Sequence, residues 1–488
     1  MLRLTVPLLV CLAAGGDGAQ DAALREFGLA FRSTRDPSAL QERRDAALEA
    51  LAGQDSQEVA RALLDAFVQL EGESAPFEAE RREYLDGGRR NKKLEVRGGL
   101  DPLRDLQESL RVRLLAVRDP EAARFLIEQA FERKKLAFSL RAALPALALH
   151  AGPKVTDLLE RRVRRARKPA ELCIVLRTAE ALGPDGRAAD SLAIATLAHE
   201  HAVLREAAAA ALARTASPAA VEPLVRRIAR ETGRTRVRMG TALEVLTRRQ
   251  LGTSPSVWRR WFEEEGEPYA RGEAELGGGE PSARAAPIDE ALYHGIPIDG
   301  EAILFLFDRS QSMQAPLFKG EDVPEEENPT RFQRAKEELI AVLGQLSPSH
   351  EFGLLAFGGT LDSFSPQVVP ATVENVELAR QWIRDLTMNL GTRSYDALDL
   401  AFSSAGGGAL DRYHDSGIDT LFMLTDGLPI RSGKADSIKR IHAAVRRWNL
   451  FGRVVVHVIC LGDKAPKKFA KGLAEQNGGR YVREPAKK

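Results

Sequence analysis

Three oxygen-bearing side chains follow one another at alternate positions where an apolar segment of the chain ends. Residues 303–307 read Ile-Leu-Phe-Leu-Phe, and Asp308, Ser310 and Ser312 come directly after them. Alternate residues of an extended segment point to the same side, so these three side chains can face one ion. Carboxylate and hydroxyl oxygens are the ligands that hard cations prefer. The segment therefore predicts a cation site at the end of a buried strand.

Two later segments supply further oxygen ligands. A second apolar run, residues 421–424, leads into Thr425 and Asp426, and Thr392 opens a helical pattern. No His or Cys lies close to these residues in the sequence, which favours Mg²⁺, or else Mn²⁺ or Ca²⁺, over zinc or copper. The predicted metal ligands are Asp308, Ser310, Ser312, Thr392 and Asp426.

Together these pieces resemble the metal-ion-dependent adhesion site of von Willebrand factor type A domains. The motif Asp-x-Ser-x-Ser at 308–312, then Thr392, then Thr-Asp-Gly at 425–427 stand in the order that this family has. The resemblance spans about residues 288–485 and includes 477–481, which is similar to the family's closing helix-to-strand turn. The family usually has Gly between the two serines, where this chain has Gln311.

The resemblance implies how the ion is held and what it binds. Residues matching Ser310 and Ser312 bind the metal directly in the family, and those matching Thr392, Asp308 and Asp426 bind it directly or through water. Three of these ligands are neutral, so the ion keeps part of its charge and a position for an outside acceptor. In the family this acceptor is commonly an Asp or Glu carboxylate of a protein partner. The resemblance implies binding rather than turnover.

The elements that must position these ligands follow an alternating pattern. Continuous apolar runs alternate with helical patterns, which predicts an α/β, doubly wound, mostly parallel sheet that is covered on both faces. In such sheets ligands bind outside the carboxyl ends of the strands, where Asp308 and Asp426 are predicted to lie. The predicted strands are 302–307, 352–357, 420–424 and 454–460, and the predicted helices are 331–346, 376–386, 395–403, 435–448 and 467–476.

The first half of the chain repeats a shorter pattern between about residues 36 and 250. A turn with proline recurs at Pro120, Pro153, Pro184 and Pro218, at intervals of about 31 to 34 residues. Two amphipathic helical patterns lie between successive turns, which is typical of an all-α solenoid built from helical hairpins. The pattern resembles HEAT-type repeats. It predicts a scaffold that offers a second interaction surface.

Composition shifts mark the predicted boundaries of the domains. The helical repeats are predicted for residues 20–263, with an insertion or loop near 70–100 that is rich in charge and glycine, and with a terminal cap that carries Trp258 and Trp261. Residues 264–287 have no apolar period and predict a flexible linker. The second domain is predicted to occupy residues 288–488.

The first residues have the order of a secretory signal. Met1-Leu2-Arg3 precedes an apolar run from Leu4 to Ala14, and small residues follow, so residues 1–19 predict a signal peptide cleaved near 16–19. The run is shorter than the roughly 20 residues that span a bilayer, so no transmembrane segment is expected after cleavage. A lipid anchor at Cys11 is the weaker alternative, since no small residue of the usual lipoprotein signal precedes it. We expect export to a periplasmic, cell-surface or secreted location.

Charge and cysteine content narrow the class of partner. The chain has 70 Lys and Arg against 69 Asp and Glu, so no global field draws it to nucleic acid. After signal cleavage only Cys173 and Cys460 remain, which excludes a disulfide framework. We expect a protein partner, no nucleic acid and ordinary packing as the source of stability.

Three other interpretations of the chain stay open at this point. The protein is a metal-independent scaffold that acts through its helical repeats, or a magnesium-dependent hydrolase with Asp308 as nucleophile, or Asp308 and Asp426 merely cap helices. The hydrolase is disfavoured because Ser310 stands where such enzymes usually carry a second Asp. We expect no enzymatic activity.

Overall fold

The computed structural model describes the chain in segments that belong to two compact units, Met1–Ala189 and Asp190–Lys488. The predicted signal peptide lies outside the described residues up to position 16, and the linker lies outside them from position 272. No helix in the described segments is long and apolar enough to cross a membrane. The described residues are 17–31, 37–85, 97–134, 136–271, 291–298, 300–318, 328–403, 417–431, 434–435, 437–449, 452, 454–462 and 467–484.

The first unit is helical throughout its described residues. Pro120 begins a helix, and Asp119 caps that helix by accepting a hydrogen bond from the backbone of Ala122 at 2.8 Å. Pro153 and Pro184 lie in short 3-10 turns, Gly152–Val155 and Gly183–Ala189. The recurrent prolines thus lie at the start of a helix or in a 3-10 turn, where the missing backbone N–H of proline is tolerated. The helices are α1 Asp17–Ala30, α2 Pro37–Ala50, α3 Gln57–Leu85, α4 Arg97–Leu115, α5 Pro120–Glu132, α6 Phe138–Arg141, α7 Ala148–Ala151, α8 Thr156–Arg165 and α9 Pro169–Leu182, with a further 3-10 turn at Leu144–Leu147.

The region near residues 70–100, which the sequence predicts as an insertion or loop, is helical in its described residues. Helix α3 continues to Leu85, and α4 begins at Arg97. The charges that suggested a loop instead hold α3 in place, since both carboxylate oxygens of Glu73 accept hydrogen bonds from the buried Arg44 at 2.8 Å. Long-range pairing of this kind is invisible in a local pattern of charge. Residues 86–96 lie outside the described residues.

The second unit begins with further helices. Trp258 and Trp261 pack edge to face with ring centres 5.6 Å apart, and both are buried. The indole of Trp258 donates to the carbonyl of Gly252 at 2.8 Å, as a structural tryptophan requires. Regular structure extends to Ala270, seven residues beyond the predicted end of the helical region. The helices are α10 Asp190–Thr196, α11 Ala202–Thr215, α12 Val221–Ile228, α13 Gly233–Thr247, α14 Pro255–Trp261 and α15 Glu267–Ala270, with a 3-10 turn at Pro218–Ala220 and a π-helical turn at Phe262–Gly266.

A parallel sheet forms the rest of this unit, as predicted. Its strand order is β11-β10-β7-β3-β4-β5, in which the first five strands are parallel, while β5 and β6 pair antiparallel to β4. Strands β3, β4, β7 and β10 are apolar and almost wholly buried, which explains why they read as continuous apolar runs. The strands are β1 Leu292–Tyr293, β2 Ile296–Pro297, β3 Ala302–Asp308, β4 Glu351–Phe357, β5 Leu361–Ser363, β6 Val369–Pro370, β7 Thr420–Thr425, β8 Ile430–Arg431, β9 Lys434–Ala435, β10 Val455–Leu461 and β11 Tyr481–Glu484, and β1–β2 and β8–β9 form small hairpins.

Helices cover both faces of this sheet. One buried apolar cluster joins the sheet to α16 and α17, and a second joins its other face to α18, α19 and α20. Both Cys173 of the first unit and Cys460 of β10 are buried and carry no disulfide, as the composition predicts. The helices of this part are α16 Arg331–Leu343, α17 Val373–Asp385, α18 Ser394–Ser403, α19 Ile438–Trp448 and α20 Lys467–Gln476.

The central strand β3 lies where the strand order reverses. The chain passes from β3 to β4 on one side, and it later returns to β7 on the other side. A crevice therefore opens at the carboxyl ends of β3 and β7, which is the usual ligand position in sheets of this type. Asp308 ends β3, and Asp426 follows the last residue of β7.

Candidate metal centre

Asp308 is completely buried at the carboxyl end of β3. Its Oδ1 accepts a hydrogen bond from the backbone of Ser310 at 2.8 Å, and its Oδ2 accepts one from the hydroxyl of Thr425 at 2.6 Å. Burial, and after it the nearby Asp426 carboxylate, raise the pKa of Asp308 to about 7, although the hydrogen bonds from Thr425 and Ser310 oppose the rise. A cation beside Asp308 would favour its ionised form.

The loop after β3 carries the two serines in a chain of hydrogen bonds. The hydroxyls of Ser310 and Ser312 lie 3.0 Å apart, and Ser312 donates to Oδ1 of Asp426 at 2.6 Å. Ser310 is buried, whereas Ser312 is exposed. The buried side chain of Met313 anchors the loop in the apolar core. The loop thus presents hydroxyl oxygens from a fixed position to the crevice.

Gln311 replaces the usual glycine of this loop without a steric conflict. It begins a 3-10 turn, Gln311–Gln314, and its side chain is exposed. Non-glycine residues with positive φ in the described segments are Ala216, Arg248 and His294, so Gln311 has an ordinary negative φ. The backbone of the loop at this position therefore does not require the positive φ that favours glycine.

Asp426 closes the chain of hydrogen bonds from the second strand. It is 2% exposed, and its two oxygens have different partners. Oδ1 accepts from Ser312, and Oδ2 accepts from Nη1 of Arg331 at 2.7 Å. Arg331 is itself buried and forms an ion pair with Asp426. Sequence reasoning missed this guanidinium, because Arg331 stands 95 residues earlier at the start of a helix.

Thr392 reaches the site through the backbone of its neighbours. It is buried, and its carbonyl accepts from the backbone of Ile430 at 2.9 Å. On the other side, the backbone of Asn389 donates to the carbonyl of Arg309 at 2.9 Å, and Ser310 and Asn389 form an isolated parallel bridge. The loop with Thr392 therefore lies between the other two loops. Hydrogen bonds from the backbone of Ser310 and between side chains link Asp308, Ser310, Ser312, Thr425 and Asp426, and backbone bonds place the loop that carries Thr392 next to the loop that carries Ser310.

The sequence carries two further acidic features near the predicted ligands, and one of them lies within the described residues. Asp396 pairs with Arg393 at 2.6 Å on the first turn of α18. Residues 321–327, an acidic segment after the first loop, lie outside the described residues. Thr425, by contrast, belongs to the site through its bond to Asp308, although the sequence analysis used it only as part of a motif. The combination of a buried strand end and a hydroxyl beside Asp426 was the available signal.

Exposed apolar side chains stand next to the site. Leu390 is 75% exposed two residues before Thr392, and Leu428 is 46% exposed two residues after Asp426. Ile430 is 39% exposed on the strand that bonds to the Thr392 loop. We call Leu390, Leu428 and Ile430 the apolar rim. An apolar group beside a polar crevice is typical of a surface that binds another protein.

Comparison with known proteins identifies the second domain. Residues 301–483 match the model of a family described as von Willebrand factor type A domain. Inter-alpha-trypsin inhibitor heavy chain H4 of Homo sapiens is 28% identical over 178 residues, which are 36% of this chain and 17% of that protein. The von Willebrand factor A domain-containing protein 5A of Rattus norvegicus is 35% identical over 179 residues, 36% of this chain and 19% of that protein.

A solved structure covers a similar share of the chain. The von Willebrand factor type A structure from Catenulispora acidiphila covers 38% of this chain, with 17% sequence identity and a TM-score of 0.30. The chain spans less than a fifth of the length of the two sequence relatives, at 17% and 19%. The family match, at residues 301–483, lies in the second domain.

Proposed function

Since residues 301–483 form a von Willebrand factor type A domain, we propose that this protein is an exported, non-enzymatic binding protein. Its second domain holds a divalent cation, and the cation captures a carboxylate of a protein ligand. The helical repeats, which we expect to be HEAT-like, offer a second interaction surface. The observation that carries the proposal is the hydrogen-bonded cluster of Asp308, Ser310, Ser312 and Asp426 at the crevice of the sheet.

The donor atoms of this cluster fit a hard cation. Two carboxylates and the hydroxyls of Ser310, Ser312 and Thr392 offer oxygen alone, which suits Mg²⁺, Mn²⁺ or Ca²⁺. The exposure of Ser312 leaves the site open toward solvent. When bound, the ion would supply a positive charge at the surface, and an outside carboxylate is the natural acceptor of that charge.

The surroundings of the cluster support binding rather than hydrolysis. Ser310, which stands where a hydrolase would carry a second acidic group, holds its hydroxyl against Ser312. The apolar rim gives a protein partner a surface to bury beside the ion. Apolar burial of this kind adds affinity, and the ion adds specificity for an acidic residue.

Selection from a random peptide library tests this function. The full-length protein is immobilised in a buffer that contains Mg²⁺, and a library of random peptides displayed on phage is passed over it. Bound phage are then eluted with a chelator. We expect enriched sequences to share an Asp or Glu and to bind wild type but not Asp308→Ala. The matched control is Asp396→Ala, which removes a carboxylate four residues after Thr392 that pairs with Arg393. Peptides that bind Asp308→Ala as well as wild type, or that ignore the chelator, would contradict the proposal.

A further inference from the structure

Arg331 places a fixed positive charge on one of the predicted metal ligands. It is the first residue of α16 and is 4% exposed, and its Nη1 lies 2.7 Å from Oδ2 of Asp426. The carboxylate of Asp426 is also buried. An ion pair that is removed from water on both sides is far less screened than a pair at the surface. The charge of Arg331 is therefore screened from the site less than the charge of a surface arginine would be.

The fold holds this guanidinium in place. Thr330 and Gln333 form a capping box at the start of α16, and the backbone of Arg331 donates to the carbonyl of Ala315 at 3.0 Å. Gly462 follows the end of β10 with φ of +81°, and a Cβ there would lie 2.4 Å from the guanidinium carbon. The positive φ of Gly462 favours glycine, and a Cβ there would have to displace the guanidinium, so Gly462 leaves the space that the side chain of Arg331 occupies.

The charges of the site make Arg331 and a cation competitors. Arg331 balances the charge of Asp426, one of the two buried carboxylates of the site. A divalent ion that approaches the same carboxylates must do so beside a fixed positive charge, which repels it in proportion to its own charge. The charge of Arg331 also offsets the repulsion between the two buried carboxylates, which would otherwise have no counter-ion.

We propose that Arg331 is a built-in counter-ion of this site, which holds Asp426 when no metal is bound and weakens the binding of the metal. This inference rests on the proposed cation site. Because Arg331 keeps the site assembled in either state, the cation exchanges without refolding the loops. The charge of Arg331 also leaves a bound ion more electron-poor, which favours an outside carboxylate. Arg331 is thus a positioning residue that sets how firmly the ion is held.

A purely structural ion pair would behave differently. Its loss would lower stability and disturb Asp426, so every cation would bind less well. A counter-ion that opposes the metal predicts the reverse, since removal of its charge strengthens binding. The gain in binding free energy on removal of the charge must also grow with the charge of the metal, because Coulomb energy scales with the product of the charges. Metal charge therefore separates the two roles.

The test compares Ca²⁺ with Tb³⁺, two ions of similar size, on the full-length protein. Calorimetry and terbium luminescence give the dissociation constants of wild type, Arg331→Gln and Arg331→Lys at one pH and ionic strength. We expect Arg331→Gln to bind Ca²⁺ at least about tenfold more tightly, with a logarithmic gain for Tb³⁺ about 1.5 times larger. Arg331→Lys keeps the charge and should stay within about threefold of wild type.

The matched control is Arg309→Gln. Arg309 is also buried and is adjacent to Asp308 in sequence, but it pairs with Asp362, which is not a predicted ligand. We expect this variant to change both dissociation constants less than about threefold. If Arg331→Gln does not fold, as a melting curve would reveal, Gly462→Ala displaces the guanidinium and should tighten binding, and unchanged affinity would again contradict the inference.

The outcomes separate this inference from the proposed function. Equal or weaker binding in Arg331→Gln, with clear binding in wild type, contradicts the counter-ion role alone. Equal logarithmic gains for the two ions contradict it as well, since a charge effect must be larger for Tb³⁺. No binding in either protein contradicts the proposed cation site, and this inference with it.

Discussion

Thr425 and Asp308 are joined by a 2.6 Å hydrogen bond between the carboxyl ends of two neighbouring parallel strands, and both side chains are completely buried. The hydroxyl of Thr425 supplies one of the hydrogen bonds that hold the carboxylate of Asp308 at the end of β3. This bond couples the ligand to the core of the sheet, which explains how a buried carboxylate keeps one orientation.

The substitution Thr425→Val removes this hydroxyl and keeps the volume. We expect a loss of about 1–3 kcal/mol in the free energy of unfolding at neutral pH, because Oδ2 of Asp308 loses a donor that water cannot replace. Urea unfolding measures the change. As a control, Thr241→Val alters an exposed hydroxyl of α13 and should stay within about 0.5 kcal/mol of wild type. A loss no larger than that of the control would show that the bond contributes nothing.

The raised pKa of Asp308 makes the stability of the metal-free protein depend on pH. The folded protein holds the proton of Asp308 up to about pH 7, whereas the unfolded chain releases it near 3.8. Between these values the folded state binds more protons, so the free energy of unfolding falls as pH rises and levels off above 7.

Unfolding of the chelated protein at pH values from 4 to 8 measures this slope. The matched variant is Asp308→Asn. Its side chain cannot titrate, so the variant should lose the pH-dependent part of the free energy of unfolding that Asp308 contributes. The difference between wild type and Asp308→Asn isolates Asp308 from every other titrating group. A pH-independent difference between the two proteins would mean that the pKa of Asp308 is not raised.

The apolar rim should affect partner binding and leave the fold intact. We expect Leu390→Ser and Leu428→Ser each to lower the affinity for peptides selected on wild type by at least about fivefold. Each substitution removes apolar area that the bound peptide would bury. Their melting temperatures and metal affinities should match wild type. Biolayer interferometry with one selected peptide measures the loss.

A control for the rim is Leu378→Ser on α17. Leu378 is 56% exposed and belongs to none of the loops that carry predicted ligands. We expect no change in peptide affinity for this variant. If Leu390→Ser and Leu428→Ser also bind like wild type, the partner does not use the rim.

Much of the second domain could be predicted because its signals are local. The run from Ile303 to Phe307 is buried on both faces, so its apolar character marks a central strand, and the observed β3 differs by one residue at its end. The order of strands and helices then fixed a parallel sheet and the edge at which Asp308 and Asp426 meet. Each step needed only neighbours in sequence and a general rule of topology.

The features that escaped prediction depend on contacts between distant segments. In the sequence, Arg331 at the start of a helix cannot be distinguished from a surface arginine. Its contacts with Asp426 and Gly462, more than 90 residues later, show that it is buried. Glu73 likewise lies within α3, although the sequence predicts a loop there, and it pairs with the distant Arg44. Periodicity and composition contain no information on such partners, because the charge pattern of a helix end and of a loop is the same.

The measurement that tests the central claim most directly is a Mg²⁺ titration of the full-length protein beside Asp308→Ala, followed by melting temperature. A cation that binds only the folded state stabilises it by RT ln(1 + [L]/Kd), about 2.7 kcal/mol at a hundredfold excess over Kd. We predict a rise in the melting temperature of wild type that Asp308→Ala lacks. No rise in wild type with Mg²⁺, Mn²⁺ or Ca²⁺, or the same rise in both proteins, would contradict a cation site at Asp308.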